Sequence, residues 1–231
     1  MTRRLGLLGG TFDPIHYGHL DAAAAARQAL ALDEIRLLPS HDPPHKPTDP
    51  RATAFHRFAL VALAIDGLEG YSASDVELLR SGPSYTVETL RRLHREGWQA
   101  RQIFFILGSD AFAEIASWYA YPEVLDAAHF VVIARPGLTL DAAVQRVPAL
   151  RTRVCQAADL SVETAANPAI ILVEARTRDV SSTIIRTRIA AGGPLDDLVP
   201  PAVARHIRAH HLYGAVDELH GQDTRSDRQS V

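Results

Sequence analysis

The sequence predicts an α/β fold: a Rossmann-like, doubly wound parallel sheet flanked by helices, with a small helical portion at the C-terminal end. Three observations carry this. Short, continuously apolar runs recur at residues 5–8, 102–107, 129–134 and 169–173. Stretches with helical composition separate them. The first run ends at Gly9-Gly10 and leads through a turn straight into a helix. Strands that read as unbroken apolar runs are buried on both faces, as happens when helices cover a parallel sheet.

Each element has a local reason. Residues 5–8 form a buried strand stopped by the glycine pair. The alanine-rich stretch over 18–32 has high helix propensity, and residues 34–39 (EIRLLP) read as a second strand. Residues 40–50 hold four prolines and two histidines, so they form a loop. A helix over 52–65 follows, on which Arg57 reads as a surface residue, and then a strand near 71–76. Residues 84–96 carry Val87, Leu90 and Leu93 at helical spacing. The run QIFFIL at 102–107 is the clearest strand, and a helix begins at Gly108-Ser109-Asp110. Strands at 129–134 and 169–173 and helices at 182–191 and 201–210 complete the pattern. Residues 138–167 give no clear signal. The expected organisation is one domain over 1–214, with its C-terminal helical part at about 181–214, and a polar, disordered tail over 215–231.

A chain of 231 residues can bury a core without disulfides, and its one cysteine, Cys155, fits a reducing compartment. The apolar run after the N-terminal basic pair is too short for a signal peptide, and no stretch has the length of a membrane span. A cytoplasmic protein is expected, with no membrane or nucleic-acid partner, since a formal net charge of −3 offers no basic footprint. Of the 24 basic residues, Lys46 alone is a lysine. Where arginine has replaced lysine elsewhere, the lysine that stays marks a place suited to a compact ammonium. Oligomeric state is not legible; a homo-oligomer is compatible with the sequence.

The chemistry concentrates in Gly9-Gly10-Thr11-Phe12-Asp13-Pro14-Ile15-His16-Tyr17-Gly18-His19. Glycines let backbone approach a ligand, and the helix N-terminus beyond offers N–H groups and a positive dipole end to phosphate oxygens. His16 and His19 are three apart and share one face of the first turn. Phosphates beside them would favour the imidazolium. Ser181, Ser182 and Thr183, followed by Arg186, open a helix after the strand at 169–173 and offer a second anion cradle. A plain N-cap with a surface arginine would read the same way, as would Asp110 acting as an N-cap after Gly108. Tyr85 and Thr86 begin a helix whose N–H groups suit a carboxylate. Trp118 is a planar surface for an aromatic ring or a core residue. No metal-ligand spacing is present.

Over these residues the sequence resembles the nucleotidyltransferase superfamily marked by an (H/T)-x-G-H box. Within it, the sequence is closely similar to the bacterial nicotinate mononucleotide adenylyltransferases. Further matches follow in order: Pro44-His45-Lys46, Gly82-Pro83-Ser84-Tyr85-Thr86, Gly108-Ser109-Asp110, Trp118, Arg135-Pro136-Gly137, and Val180-Ser181-Ser182-Thr183-Ile184-Ile185-Arg186. The resemblance covers roughly residues 4–214.

It implies adenylyl transfer from ATP, accompanied by Mg²⁺ held mainly by the ATP phosphates, to nicotinate mononucleotide in NAD biosynthesis. It assigns Gly9, Gly10, Thr11, Phe12, His16, His19, Gly108, Asp110, Ser182, Thr183 and Arg186 to ATP. Lys46, Tyr85, Thr86 and Trp118 fall to the mononucleotide, Trp118 stacking on its ring. His16, His19, Lys46 and Arg186 supply the catalytic positive charge. A phosphopantetheine adenylyltransferase shares the opening motif but lacks the Ser84-Tyr85-Thr86 segment. A cytidylyltransferase is weaker on similar grounds. An aminoacyl-tRNA synthetase would need domains this length leaves no room for. A nucleotide sensor without chemistry would be signalled by loss of His16, His19 or Arg186, all of which are present.

Overall fold

Strand β1 (Leu5–Gly10) turns into helix α1 (Tyr17–Leu30), and β2 (Glu34–Pro39) is followed by α2 (Ala54–Ala64) and the short β3 (Tyr71–Ala73). Helix α3 (Thr86–Arg95) leads to β4 (Ile103–Gly108) and the five-residue α4 (Ser109–Ala113). Then come β5 (His129–Ile133), α5 (Leu140–Gln145), β6 (Val154–Gln156), β7 (Ile170–Val173), α6 (Ser182–Ala190) and α7 (Pro201–Ala209). The computed structural model describes residues 3–43, 50–80, 82–134, 139–160 and 167–215.

The strands form one sheet in the order β3-β2-β1-β4-β5-β7-β6, and every pairing is parallel. From β1 the chain winds outward to β2 and β3, then returns to lay β4 on the other side of β1. The order therefore reverses between β1 and β4, and a crevice opens there beyond the carboxyl ends of the strands. Gly10 ends β1 and Gly108 ends β4 at that crevice.

Side chains alternate between two cores, as the two-residue strand period requires. Leu8, Phe104, Ile106, Val131 and Ile171 face α1, α2, α6 and α7. Leu7, Phe105, Leu107, Phe130 and Leu172 face α3, α4 and α5. Small side chains at Ala22, Ala23 and Ala26 let α1 lie close across the sheet. Helix ends are defined locally. Thr53 accepts from His56 N–H ahead of α2, Ser181 accepts from Ile184 N–H ahead of α6, and Pro201 occupies the first turn of α7. Among the described residues no helix is long and apolar enough to cross a membrane.

Most expected elements are present within two or three residues, and the exceptions have physical reasons. The unclear segment contains α5 and β6. Edge strand β6 has three residues, pairs only with β7, and exposes Gln156, so it carries no apolar run. The helix expected after Gly108 is a single short turn and a half. Ala215, expected in the tail, is buried, and its N–H donates to Leu212 O at 3.1 Å. Residues 216–231 lie outside the described residues.

Candidate active site

The β1–α1 turn is built by packing as much as by openness. A Cβ on Gly9 would meet the Phe105 ring at 3.2 Å, and one on Gly10 the Phe12 ring at 3.0 Å. Phe12 has a φ of 49° and is 1% exposed, so its ring belongs to the core and only its backbone faces the crevice. The expected ATP contacts at Gly9, Gly10, Thr11 and Phe12 thus reduce to main-chain groups and the buried Thr11 side chain.

His16 caps α1 and is buried, while His19 is half-buried one turn on. Their rings stack with centroids 3.7 Å apart and 26° between planes. The Phe12 ring meets His19 edge-on at 5.0 Å. His16 N–H donates to His19 Nδ1 at 3.3 Å, which assigns the ring proton of His19 to Nε2. Gly18 between them is required by close approach, since a Cβ there would lie 3.2 Å from both Arg178 O and His16 Nδ1. Arg178 in turn grips Asp21 of α1 with two guanidinium bonds of 3.1 and 3.0 Å.

Helix α6 brings the second basic group to the same turn. Arg186 donates to Asp13 O at 2.7 Å and to Thr183 Oγ1 at 3.1 Å. Ser182 donates to Pro14 O at 2.9 Å, so its hydroxyl proton ties α6 to the β1–α1 turn, leaving lone pairs but no proton for a phosphate. The N-cap here is Ser181, the first of the three hydroxyl residues at this terminus. Beside Arg186 lies a groove of about 620 Å³ that also takes in Arg51, Thr187 and Tyr213.

Asp13 joins these parts. Its carboxylate is 5% exposed and accepts from Arg51 N–H at 2.8 Å, Ala52 N–H at 3.0 Å and Tyr213 O–H at 2.9 Å. Burial and the Asp13 carboxylate push the Tyr213 phenol far above its ordinary range, so Tyr213 keeps its proton and donates it to Asp13.

The aromatic candidates sit on the other side of the sheet. Tyr85 caps α3, and its ring lies 4.5 Å from that of Tyr119. Tyr85 N–H is spent on Pro83 O at 3.1 Å, so of the two amides suggested for a carboxylate only Thr86 is at a first helical position that lacks an intrahelical acceptor. Trp118 is half-buried, with edge-on contacts to Phe105 at 6.0 Å and Phe130 at 6.3 Å. Gly108, not Asp110, is the N-cap of α4; Asp110 lies in its first turn and is exposed. Lys46, with Pro44-His45 and Arg135-Pro136-Gly137, lies outside the described residues.

A family model described as cytidylyltransferase-like matches residues 7–188. A protein of Shewanella baltica (strain OS195) is 41% identical over 218 residues, which cover 91% of this chain and 99% of the relative. A protein of Pseudomonas entomophila (strain L48) is 41% identical over 215 residues, covering 92% and 96%. Both are named "Probable nicotinate-nucleotide adenylyltransferase". The chain belongs to the nicotinate-nucleotide adenylyltransferase family. The fold is also that of Plasmodium falciparum nicotinic acid mononucleotide adenylyltransferase complexed with NaAD, at a TM-score of 0.68 and 18% identity, covering 91% of this chain and 97% of that one.

This adenylyltransferase contains two site-adjacent residues that the sequence did not single out. Arg57, expected at the surface, is 1% exposed. Its guanidinium donates to Thr11 O at 2.8 Å, Ser40 O at 2.6 Å, His41 O at 3.2 Å and Ala52 O at 3.3 Å. A signal was available: Arg57 lies three, four and seven residues before the buried Leu60, Val61 and Ala64, on the apolar stripe of α2. Tyr213 is the second, and a lone tyrosine near a chain end carries no such pattern.

Proposed function

We propose that this member of the family transfers the adenylyl group of Mg-ATP to nicotinate mononucleotide, giving nicotinate adenine dinucleotide and pyrophosphate. The observation that carries the reading is a convergence. His16 and His19 at the start of α1, and Arg186 from α6, meet at the carboxyl end of β1, on one side of the crevice. Tyr85, Thr86 and Trp118 stand on the other. A dinucleotide product would straddle the sheet edge between the two groups.

In the reaction an oxygen of the acceptor's phosphate attacks the α-phosphorus of ATP, and the bond to the bridging oxygen of pyrophosphate breaks. The nucleophile is already ionised, so no base is needed to activate it. The protein's work is alignment and stabilisation of charge. His19 Nε2–H and the helix N-terminus would meet the α-phosphate. Arg186 and Thr183 would hold the leaving pyrophosphate, with the adjoining groove and Arg51 on its way out. Lys46 would neutralise a substrate phosphate. The main chain at Gly108 and the Asp110 side chain would lie on the adenosine side. Mg²⁺ would enter as part of the substrate Mg-ATP, held mainly by the ATP phosphates. The enzyme would work in the cytoplasm, where such soluble metabolites are available.

Pyrophosphate release from Mg-ATP, with nicotinate mononucleotide, nicotinamide mononucleotide and phosphopantetheine compared as acceptors, tests the reading. Turnover with the first well above the others supports it. Turnover led by phosphopantetheine would replace the acceptor, and release with none of them, despite ATP binding, would make the protein a nucleotide sensor.

A further inference from the structure

We propose that Arg57 is a positioning residue for the transfer, holding the ATP-side turn and the acceptor-side loops in register with each other. The inference rests on the functional reading above and extends it to a residue that touches neither substrate.

The contacts define the role. Thr11 O belongs to the β1–α1 turn, and Ser40 O and His41 O to the loop leaving β2. Ala52 O belongs to the approach to α2, whose N–H groups grip Asp13. One planar fork thus fixes three separate chain segments that face the crevice. The bonding continues outward. Ser40 N–H donates to Gly10 O at 2.9 Å, His41 N–H to Ser84 Oγ at 2.9 Å, and Ser84 N–H to Asp42 O at 2.8 Å. Ser84 directly precedes Tyr85 and Thr86. A hydrogen-bonded chain therefore runs from the ATP-side turn, through Arg57, to the start of α3.

Packing alone does not call for this residue. The neighbouring positions on the same stripe, Leu60 and Val61, are fully buried hydrophobics. A hydrophobic side chain at 57 would complete that stripe without the desolvation that a buried cation incurs. Burial works against the charge of Arg57, and the nearby Asp13 carboxylate offsets part of that cost. What a hydrophobic residue could not do is hold carbonyls of Thr11, Ser40 and His41 at fixed separations. Lysine could not either, since its ammonium is a single point where the fork reaches several acceptors at once. Alignment of this kind is kinetically valuable, because displacement by about 1 Å can cost on the order of 10²-fold.

The test compares Arg57→Lys and Arg57→Ala with Leu60→Ala, which damages the core of the same helix without touching the crevice loops. Each protein is assayed for pyrophosphate release from Mg-ATP and nicotinate mononucleotide, well below its melting temperature. Arg57→Lys is expected to lose roughly 10²-fold in kcat, with KM values changed much less. Leu60→Ala, though destabilised, should stay within about threefold of wild type, the change expected when alignment is untouched. Added guanidinium ion at non-denaturing concentration should restore turnover to Arg57→Ala and do nothing for Leu60→Ala. The proposal is overturned if Arg57→Lys keeps kcat within threefold, or if neither Arg57 variant folds, which would make Arg57 a core residue only. If wild type itself releases no pyrophosphate, the functional reading fails separately. The Mg-ATP dissociation constant then decides for Arg57: it should rise several-fold in Arg57→Lys and not in Leu60→Ala, and equal values would overturn the role.

Discussion

Tyr213 donates its hydroxyl to Asp13 Oδ1 at 2.9 Å, joining residues 200 positions apart in the chain. The same aspartate receives backbone N–H groups from Arg51 and Ala52, and its carbonyl holds Arg186. The C-terminal turn is therefore fastened to the loop between β1 and α1. Removing one donor from a buried carboxylate costs about 1–3 kcal/mol. Tyr213→Phe should lower the unfolding free energy by that amount, seen as a lower urea midpoint with an unchanged m-value, and raise KM for ATP more than KM for the acceptor. Unchanged stability would mean that solvent replaces the phenol, and the fastening would carry no weight.

His19 Nδ1 accepts from His16 N–H, so the ring would meet a phosphate through Nε2–H. Losing one donor to the transition state typically costs 10²–10³-fold. His19→Ala should reduce kcat by roughly that factor while circular dichroism stays unchanged. A loss under threefold in a folded protein would remove His19 from the chemistry.

Trp118 presents one part of its ring to Phe105 and Phe130 and is only half-buried. If the remaining face stacks on the pyridine ring, Trp118→Leu should raise KM for nicotinate mononucleotide roughly 3- to 10-fold, the value of one aromatic pair, and leave KM for ATP nearly constant. Equal effects on both constants would assign the tryptophan to the core.

Glu77 is buried beneath the start of α3, where it accepts from Thr89 Oγ1 at 2.8 Å. Burial pushes its carboxyl above the ordinary value of 4.5, against the hydrogen bonds from Thr89 and Ser84. The folded state thus holds this proton more tightly than the unfolded chain. Its contribution to stability is greatest at low pH and declines as pH rises from about 4.5 through the raised value. Glu77→Gln should melt above wild type at pH 8, and the gap should close near pH 4.5. A gap independent of pH would show that ionisation is not its cause.

Legibility followed the range of the signal. β4 and β5 are readable because IFFIL and HFVVI are buried on both faces and so nearly free of polar residues. The β1–α1 turn is readable because glycine and histidine cluster within a few positions. β6 was hidden by its three-residue length at the sheet edge. Phe12 looked like a ligand contact because it sits in the motif, yet a positive φ turns its ring into the core. Motif position points the Tyr85 N–H and the Ser182 hydroxyl at ligands, while a local bond to Pro83 O and a tertiary bond to Pro14 O employ them within the protein. Arg57 reads as a surface residue by its charge, and only its helical phase beside Leu60, Val61 and Ala64 marks it as buried. The network around Asp13 was invisible for a simpler reason: its partners at 51, 52, 186 and 213 meet only once the chain has folded.

The most direct test of adenylyl transfer follows the phosphorus atoms of ATP. Purified enzyme is given nicotinate mononucleotide and Mg-ATP labelled at either the α- or the γ-phosphate, and the products are separated. Adenylyl transfer predicts α-label in nicotinate adenine dinucleotide and γ-label in pyrophosphate, in equal amounts. γ-Label appearing as inorganic phosphate, with α-label left in ADP, would contradict it.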